Sequence, residues 1–128
     1  MMQFMLDTNI CIYFIRKHLP AVGKKFAAYR KGEIVISSIT WAELCCGIQK
    51  DGAEIVEELL SILEVAPFGI GEGRVYGQLT RQFPNRKANL DRMIAAHAIS
   101  LDITLVTNNV NDFAIYQSAG LRVENWLD

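Results

Sequence analysis

The sequence predicts an α/β fold: a single domain over residues 1–128 with a central, mostly parallel sheet and helices on both faces. Two observations carry this. Short apolar runs at residues 3–6, 34–36 and 103–106 alternate with longer stretches whose apolar residues recur at helical spacing, the pattern of strands joined by helical crossovers. A chain of 128 residues also suits one domain and buries roughly two thirds of its unfolded surface. Neither a linker, a repeat nor a low-complexity segment interrupts it.

Taken in order, residues 3–6 form a buried strand, and Ile10, Tyr13, Phe14 and Lys17 mark the helix that follows. Pro20 suits the first turn of a second helix running through Phe26 and Tyr29 to Gly32. The β-branched Ile34-Val35-Ile36 reads as the second strand. A helix from Thr40 to about Gln49 comes next, with Trp41, Leu44, Cys45 and Ile48 spaced as its core face. Residues 51–63 form an amphipathic helix with Ile55, Val56, Leu59, Leu60 and Leu63 as the apolar stripe and an acidic outer face. A short strand at residues 63–66 ends at Pro67.

Gly69, Gly71 and Gly73 do not make a dinucleotide loop, because the third glycine position of that fingerprint is held by Arg74. A helix around residues 74–83 is expected instead, broken by Pro84-Asn85. Asn89 caps the next helix, whose stripe is Ile94, His97, Ala98 and Leu101; residues 103–106 follow as a buried strand. Asn108-Asn109 turns the chain, and residues 121–123 form a last strand before Glu124-Asn125-Trp126.

Composition narrows the function classes. A formal net charge of -1 gives no overall basic signal, so any nucleic-acid surface must come from local clustering. The apolar runs are too short to span a bilayer, and Asp7 and Asn9 interrupt the N-terminal apolar stretch, so a cytoplasmic protein is the expectation. Cys11, Cys45 and Cys46 are an odd set without metal-ligand spacing, read as reduced and apolar.

Asp7 follows the first strand, Glu43 lies just inside the helix after the second, and Asp91 opens a later helix. Each has a structural role available: Asp7 caps a helix, Thr40-Trp41-Ala42-Glu43 has the form of a T-x-x-E capping box, and Asp91 meets a helix dipole. Right-handed crossovers would also bring all three to the carboxyl edge of the sheet, where such folds bind ligands. Carboxylates so placed repel unless a cation or protons offset their charge, and an oxygen-only donor set suits Mg²⁺ or Mn²⁺. The chemistry this points to is metal-assisted hydrolysis of a phosphodiester.

With Met5-Leu6-Asp7-Thr8-Asn9, residues 37–44 (SSITWAEL), residues 91–98 (DRMIAAHA), Leu105-Val106-Thr107-Asn108-Asn109 and residues 122–126 (RVENW), the whole chain resembles the PIN-domain ribonucleases, specifically the VapC-type toxins of toxin–antitoxin pairs. The resemblance implies a Mg²⁺- or Mn²⁺-dependent endoribonuclease with Asp7, Glu43 and Asp91 at the metal site, acting on structured RNA such as tRNA. It also implies an antitoxin of the VapB type whose segment packs in a groove, and a toxin homodimer. The departure is Asn109, a neutral residue where many relatives carry an acid; Asn109 can still donate an oxygen, and Asp112 either reaches back to replace it or is a solvated turn acid. Thr8, Asn9 and Thr107 either orient the carboxylates by hydrogen bonding or serve as caps and turn formers.

Among the basic residues Arg74, Arg81, Arg86, Lys87 and Arg92, the candidates for RNA contact are Arg86, Lys87 and Arg92. His97 lies six residues past Asp91, about 240° around the helix, so it is expected in the core or an interface and not in the chemistry. The apolar residues of the first two helices, Ile12, Tyr13, Phe14, Ile15 and Phe26, exceed what one helix face buries, so some of this surface is expected to bind a partner, which the resemblance implies is the antitoxin. The competing readings are a non-catalytic PIN-like module that binds RNA or its partner, and a phosphoacceptor domain. The latter lacks a lysine after the late strand, where Thr107-Asn108-Asn109 stands.

Overall fold

The structure, a computed structural model, describes residues 1–17, 20–47, 53–84 and 90–127. Its strands are β1 (Phe4–Leu6), β2 (Ile34–Ser37), β3 (Glu64–Ala66), β4 (Thr104–Val106) and β5 (Arg122–Glu124), and they form one sheet in the order β3-β2-β1-β4-β5. Every adjacent pair is parallel. The helices are α1 (Thr8–Lys17), α2 (Pro20–Ala27), α3 (Ser38–Gly47), α4 (Ala53–Ile62), α5 (Ile70–Gln82), α6 (Leu90–Leu101) and α7 (Val110–Phe113), followed by a 3₁₀ segment, Ala114–Ala119. None of the described helices is long and apolar enough to cross a membrane.

The side-chain alternation of the strands splits the core in two. Phe4, Leu6, Ile34, Ile36 and Val106 pack on one face with Ile10, Cys11, Leu44, Leu59, Leu63 and Trp126. Met5, Val35 and Leu105 pack on the other with Leu79, Ile94, Phe113 and Tyr116. A strand buried on both faces reads as a continuous apolar run, which is why β1, β2 and β4 were recognisable from sequence. Leu6, Ile36 and Val106 lie in one register row, so the polar residues directly after them, Asp7, Ser37 and Thr107, line one edge of the sheet.

Several expected boundaries shift. Helix α2 ends at Ala27, and Gly32 takes a left-handed φ of +95° in the turn into β2. Helix α3 starts at Ser38, with the Ser37 hydroxyl accepting the Ile39 N–H at 3.0 Å. Thr40 therefore sits inside the helix with a buried hydroxyl, and the expected Thr40/Glu43 capping box does not form. Cys45 is exposed rather than on the core face, as is Cys46. The reason is that α3 is apolar nearly all round, so spacing alone did not select the face; it is Thr40 and Leu44 that are buried.

Helix α5 starts earlier than expected, at Ile70, because the Glu72 carboxylate accepts the Gly69 N–H at 2.9 Å and fixes the first turn. Gly71 and Gly73 are thus helical, in keeping with the rejected phosphate loop. Gly120, at φ +105°, ends the 3₁₀ segment and lets the chain enter β5 one residue later than expected. The expected cap Asn89, the expected helix limits Gln49 and Asp51, and Ile48 lie outside the described residues.

Trp126 closes the first core. Its ring lies edge-on to Phe4 at 5.1 Å and stacked on Tyr29 at 6.2 Å, while its indole N–H donates to Glu124 at 3.1 Å. Trp126→Ala is expected to cost about 3–5 kcal/mol in chemical denaturation, with Trp126→Phe costing less because it keeps a ring against Phe4 and Tyr29.

Candidate active site

Asp7 occupies the junction of β1 and α1, and its backbone joins both: the N–H donates to Val106 at 3.0 Å and the carbonyl accepts from Cys11 at 3.2 Å. One carboxylate oxygen accepts the Ile10 N–H at 2.9 Å, an N-cap bond, and the other accepts the Thr107 hydroxyl. The cap and the site are therefore the same group. Asp7 is only 3% exposed, and burial, together with the charges of Asp91 and Glu43, pushes its carboxyl up to about 6 against the two hydrogen bonds that favour the ionised form.

Glu43, half-buried on α3, accepts the Thr8 hydroxyl at 2.7 Å. Asp91 is half-buried in the first turn of α6. The three expected acids thus share one electrostatic field centred on Asp7. They do not form a closed cage, however: among the described residues no three His, Cys, Asp or Glu side chains stand close enough to hold one ion together. The oxygen-only donor set still fits Mg²⁺ or Mn²⁺, since Mg²⁺ is commonly held by one or two carboxylates and completes its shell with water.

Thr107 is a hub. Its hydroxyl donates to Asp7 and accepts the Asn109 N–H at 2.9 Å, and the Asn109 side-chain amide donates to Asp112 at 2.6 Å. The two candidates for the fourth oxygen are therefore coupled, with Asn109 holding Asp112, which is otherwise exposed. Asn9 is exposed in the first turn of α1. His97 is fully buried, its Nδ1 lying 2.8 Å from the Ser37 hydroxyl and its ring edge-on to Phe68 at 5.5 Å, and burial lowers its basicity. The core role read from its spacing holds.

The expectation for Arg92 is corrected. It is 1% exposed, and its guanidinium donates to Thr80 and Tyr116 side chains and to the Phe83 carbonyl, so it is not presented to a phosphate. Its sequence signal was spacing: Arg92 precedes Ala95, Ala96 and Ile99 on the buried stripe of α6. Of the same basic segment, Arg74 and Arg81 are exposed on α5, whereas Arg86 and Lys87 lie outside the described residues.

A PIN domain family model matches residues 4–117. The tRNA(fMet)-specific endonuclease VapC of Shigella flexneri is 33% identical, covering 98% of this chain and 99% of its own. Ribonuclease VapC2 of Rickettsia felis is 37% identical over 98% of each chain. Among solved structures, DNA-bound VapBC from Salmonella typhimurium superposes with a TM-score of 0.90 at 33% identity, covering 98% of this chain and 99% of that one. VapBC2 from Rickettsia felis, bound to a promoter DNA fragment, gives 0.86 at 35% identity with the same coverage.

The raised Asp7 pKa has a signed consequence. Above pH 6 the folded, metal-free protein holds an ionised Asp7 that the unfolded chain, with its ordinary value of 3.8, ionises more readily. This destabilisation, on the order of 3 kcal/mol, is fully present above the folded value and fades as pH falls toward the unfolded one. Thermal melts of metal-free protein should therefore gain stability between pH 7.5 and about 4.5 on account of this group. Asp7→Asn should flatten that gain and raise Tm at pH 7.5.

Proposed function

Because the chain belongs to the PIN-domain family, in its VapC-type ribonuclease group, we propose that it is the toxin of a toxin–antitoxin pair and hydrolyses phosphodiester bonds in RNA with the help of Mg²⁺ or Mn²⁺. The observation that carries the metal dependence is Asp7: a carboxylate buried at the sheet edge in the field of Glu43 and Asp91 calls for a cation to offset the shared charge. One or two of Asp7, Glu43 and Asp91 would bind the ion directly and the rest through its water shell, with Asn109 or Asp112 as a further oxygen donor. Once bound, it supplies positive charge to the phosphodiester and acidifies a water.

The chain's own residues prepare that chemistry. Thr107 and the Ile10 N–H fix the two oxygens of Asp7, so its remaining lone pairs keep one direction. Thr8 orients Glu43 through one carboxylate oxygen, leaving the second placed to take a proton from the attacking water. Exposed Arg74 and Arg81, together with Arg86 and Lys87, are the candidates for phosphate contacts.

The relatives named as tRNA(fMet)-specific endonucleases, in Shigella flexneri and Salmonella typhimurium, support tRNA as the substrate class. The VapBC complexes among the structural neighbours support a VapB-like antitoxin as partner. A groove of about 440 Å³ lined by Phe14, Tyr29, Lys31 and Ile62 offers an apolar seat for an antitoxin segment, and a homodimer is the expected toxin assembly. The non-catalytic reading keeps one observation in its favour, the acids' failure to close into a three-ligand cluster.

Antitoxin-free protein should cleave tRNA with Mn²⁺ and stop in EDTA. Asp7→Asn should lower the rate by more than about 100-fold and Thr107→Val, which unseats Asp7 without removing it, by about 10–100-fold. RNA binding without turnover at saturating Mn²⁺ would establish the binding module instead.

A further inference from the structure

A buried arginine beside an active-site acid is a costly feature unless its geometry is used. Arg92 stands in the first turn of α6 next to Asp91, and its guanidinium is spent on two other elements. Nη1 reaches the Thr80 hydroxyl at 3.2 Å and Nη2 the Phe83 carbonyl at 3.3 Å, both at the end of α5, while Nε reaches the Tyr116 hydroxyl at 3.3 Å in the 3₁₀ segment. Each acceptor is itself held. The Thr80 hydroxyl donates to the Tyr76 carbonyl at 2.9 Å, and the Phe83 and Tyr116 rings meet edge-on at 5.4 Å.

One contact would fix only a distance. Three contacts from a planar fork to two separate elements fix both the slide and the rotation of the first turn of α6. A one-residue slip there would move Asp91 by about 1.5 Å along the axis and about 100° around it, enough to carry its carboxylate out of the field it shares with Asp7. We propose that Arg92 is a positioning residue: its buried guanidinium clamps α5, α6 and the 3₁₀ segment together and so sets the place of Asp91 at the metal site. The clamp as a source of metal affinity rests on the function proposed above; the clamp as a determinant of the α6 first turn does not.

The test uses the full chain. For wild type, Arg92→Met, Arg92→Lys and Tyr116→Phe, Mn²⁺ affinity is measured by calorimetry, RNA cleavage is split into kcat and KM, and amide hydrogen exchange is followed at residues 90–94. All measurements are made at a temperature where melts show each variant folded. Arg92→Met, close in volume and without charge, should weaken Mn²⁺ binding about 10-fold and lower kcat by a similar factor, with KM little changed. Exchange at residues 90–94 should accelerate. Arg92→Lys should not restore either property, because an ammonium cannot reach three acceptors in a fork. Tyr116→Phe keeps the ring against Phe83 and removes one acceptor, so it should show a smaller loss of the same kind.

Wild-type Mn²⁺ affinity and kcat in Arg92→Met would overturn the positioning role, and a rise confined to KM would make Arg92 an RNA contact. If wild type binds no Mn²⁺ and cleaves no RNA, the functional reading fails, and exchange then decides the clamp: unchanged rates at residues 90–94 overturn it, accelerated rates support it.

Discussion

The burial of the Asp7 carboxylate is the constraint from which the rest of the site follows. A charged group almost fully removed from water is tolerated only with compensating donors, and two are built into the chain: the first turn of α1 through Ile10, and the residue after β4 through Thr107. The second comes from the parallel sheet, whose register sets Leu6 beside Val106 and hence Asp7 beside Thr107. The fold and the site share this pair of hydrogen bonds.

Two donors do not offset the whole cost. Glu43 and Asp91 add their own negative fields, and the carboxyl of Asp7 is left well above its ordinary value. This leaves an unfavourable negative field at Asp7, which a bound divalent ion would relieve. Around this centre the polar contacts form a chain rather than a cluster: Thr8 to Glu43, Thr107 to Asp7, Asn109 to Thr107 and to Asp112. Each link orients an oxygen without closing the site, which suits an ion that keeps water among its ligands.

The sequence was most informative where burial is two-sided. The runs at β1, β2 and β4 are largely apolar, and Asp7 after β1 and Glu43 after β2 stand out against that background. The PIN-type motifs around Asp7, Glu43 and Asp91 then made the family legible over nearly the whole chain. Sequence was least informative where one-dimensional spacing is ambiguous. Helix α3 is apolar on most sides, so its spacing points Cys45 inward although the side chain is exposed. Arg92 looked like part of a basic segment because charge is visible in sequence and burial is not; its acceptors at Thr80, Phe83 and Tyr116 lie 9 to 24 residues away. The coupling of Asn109 to Asp112 depends on a turn whose geometry no propensity specifies.

Asp7 sits in a negative field that a bound divalent cation would relieve. The most direct test of this is the titration of the Asp7 carboxyl by NMR, followed through its ¹³C shift with and without Mg²⁺. The carboxyl should titrate at about 6 in metal-free protein, and its value should fall clearly on adding Mg²⁺, because the ion and the proton compete for the same oxygens. An ordinary carboxyl value that Mg²⁺ leaves unmoved would contradict this role for the cation.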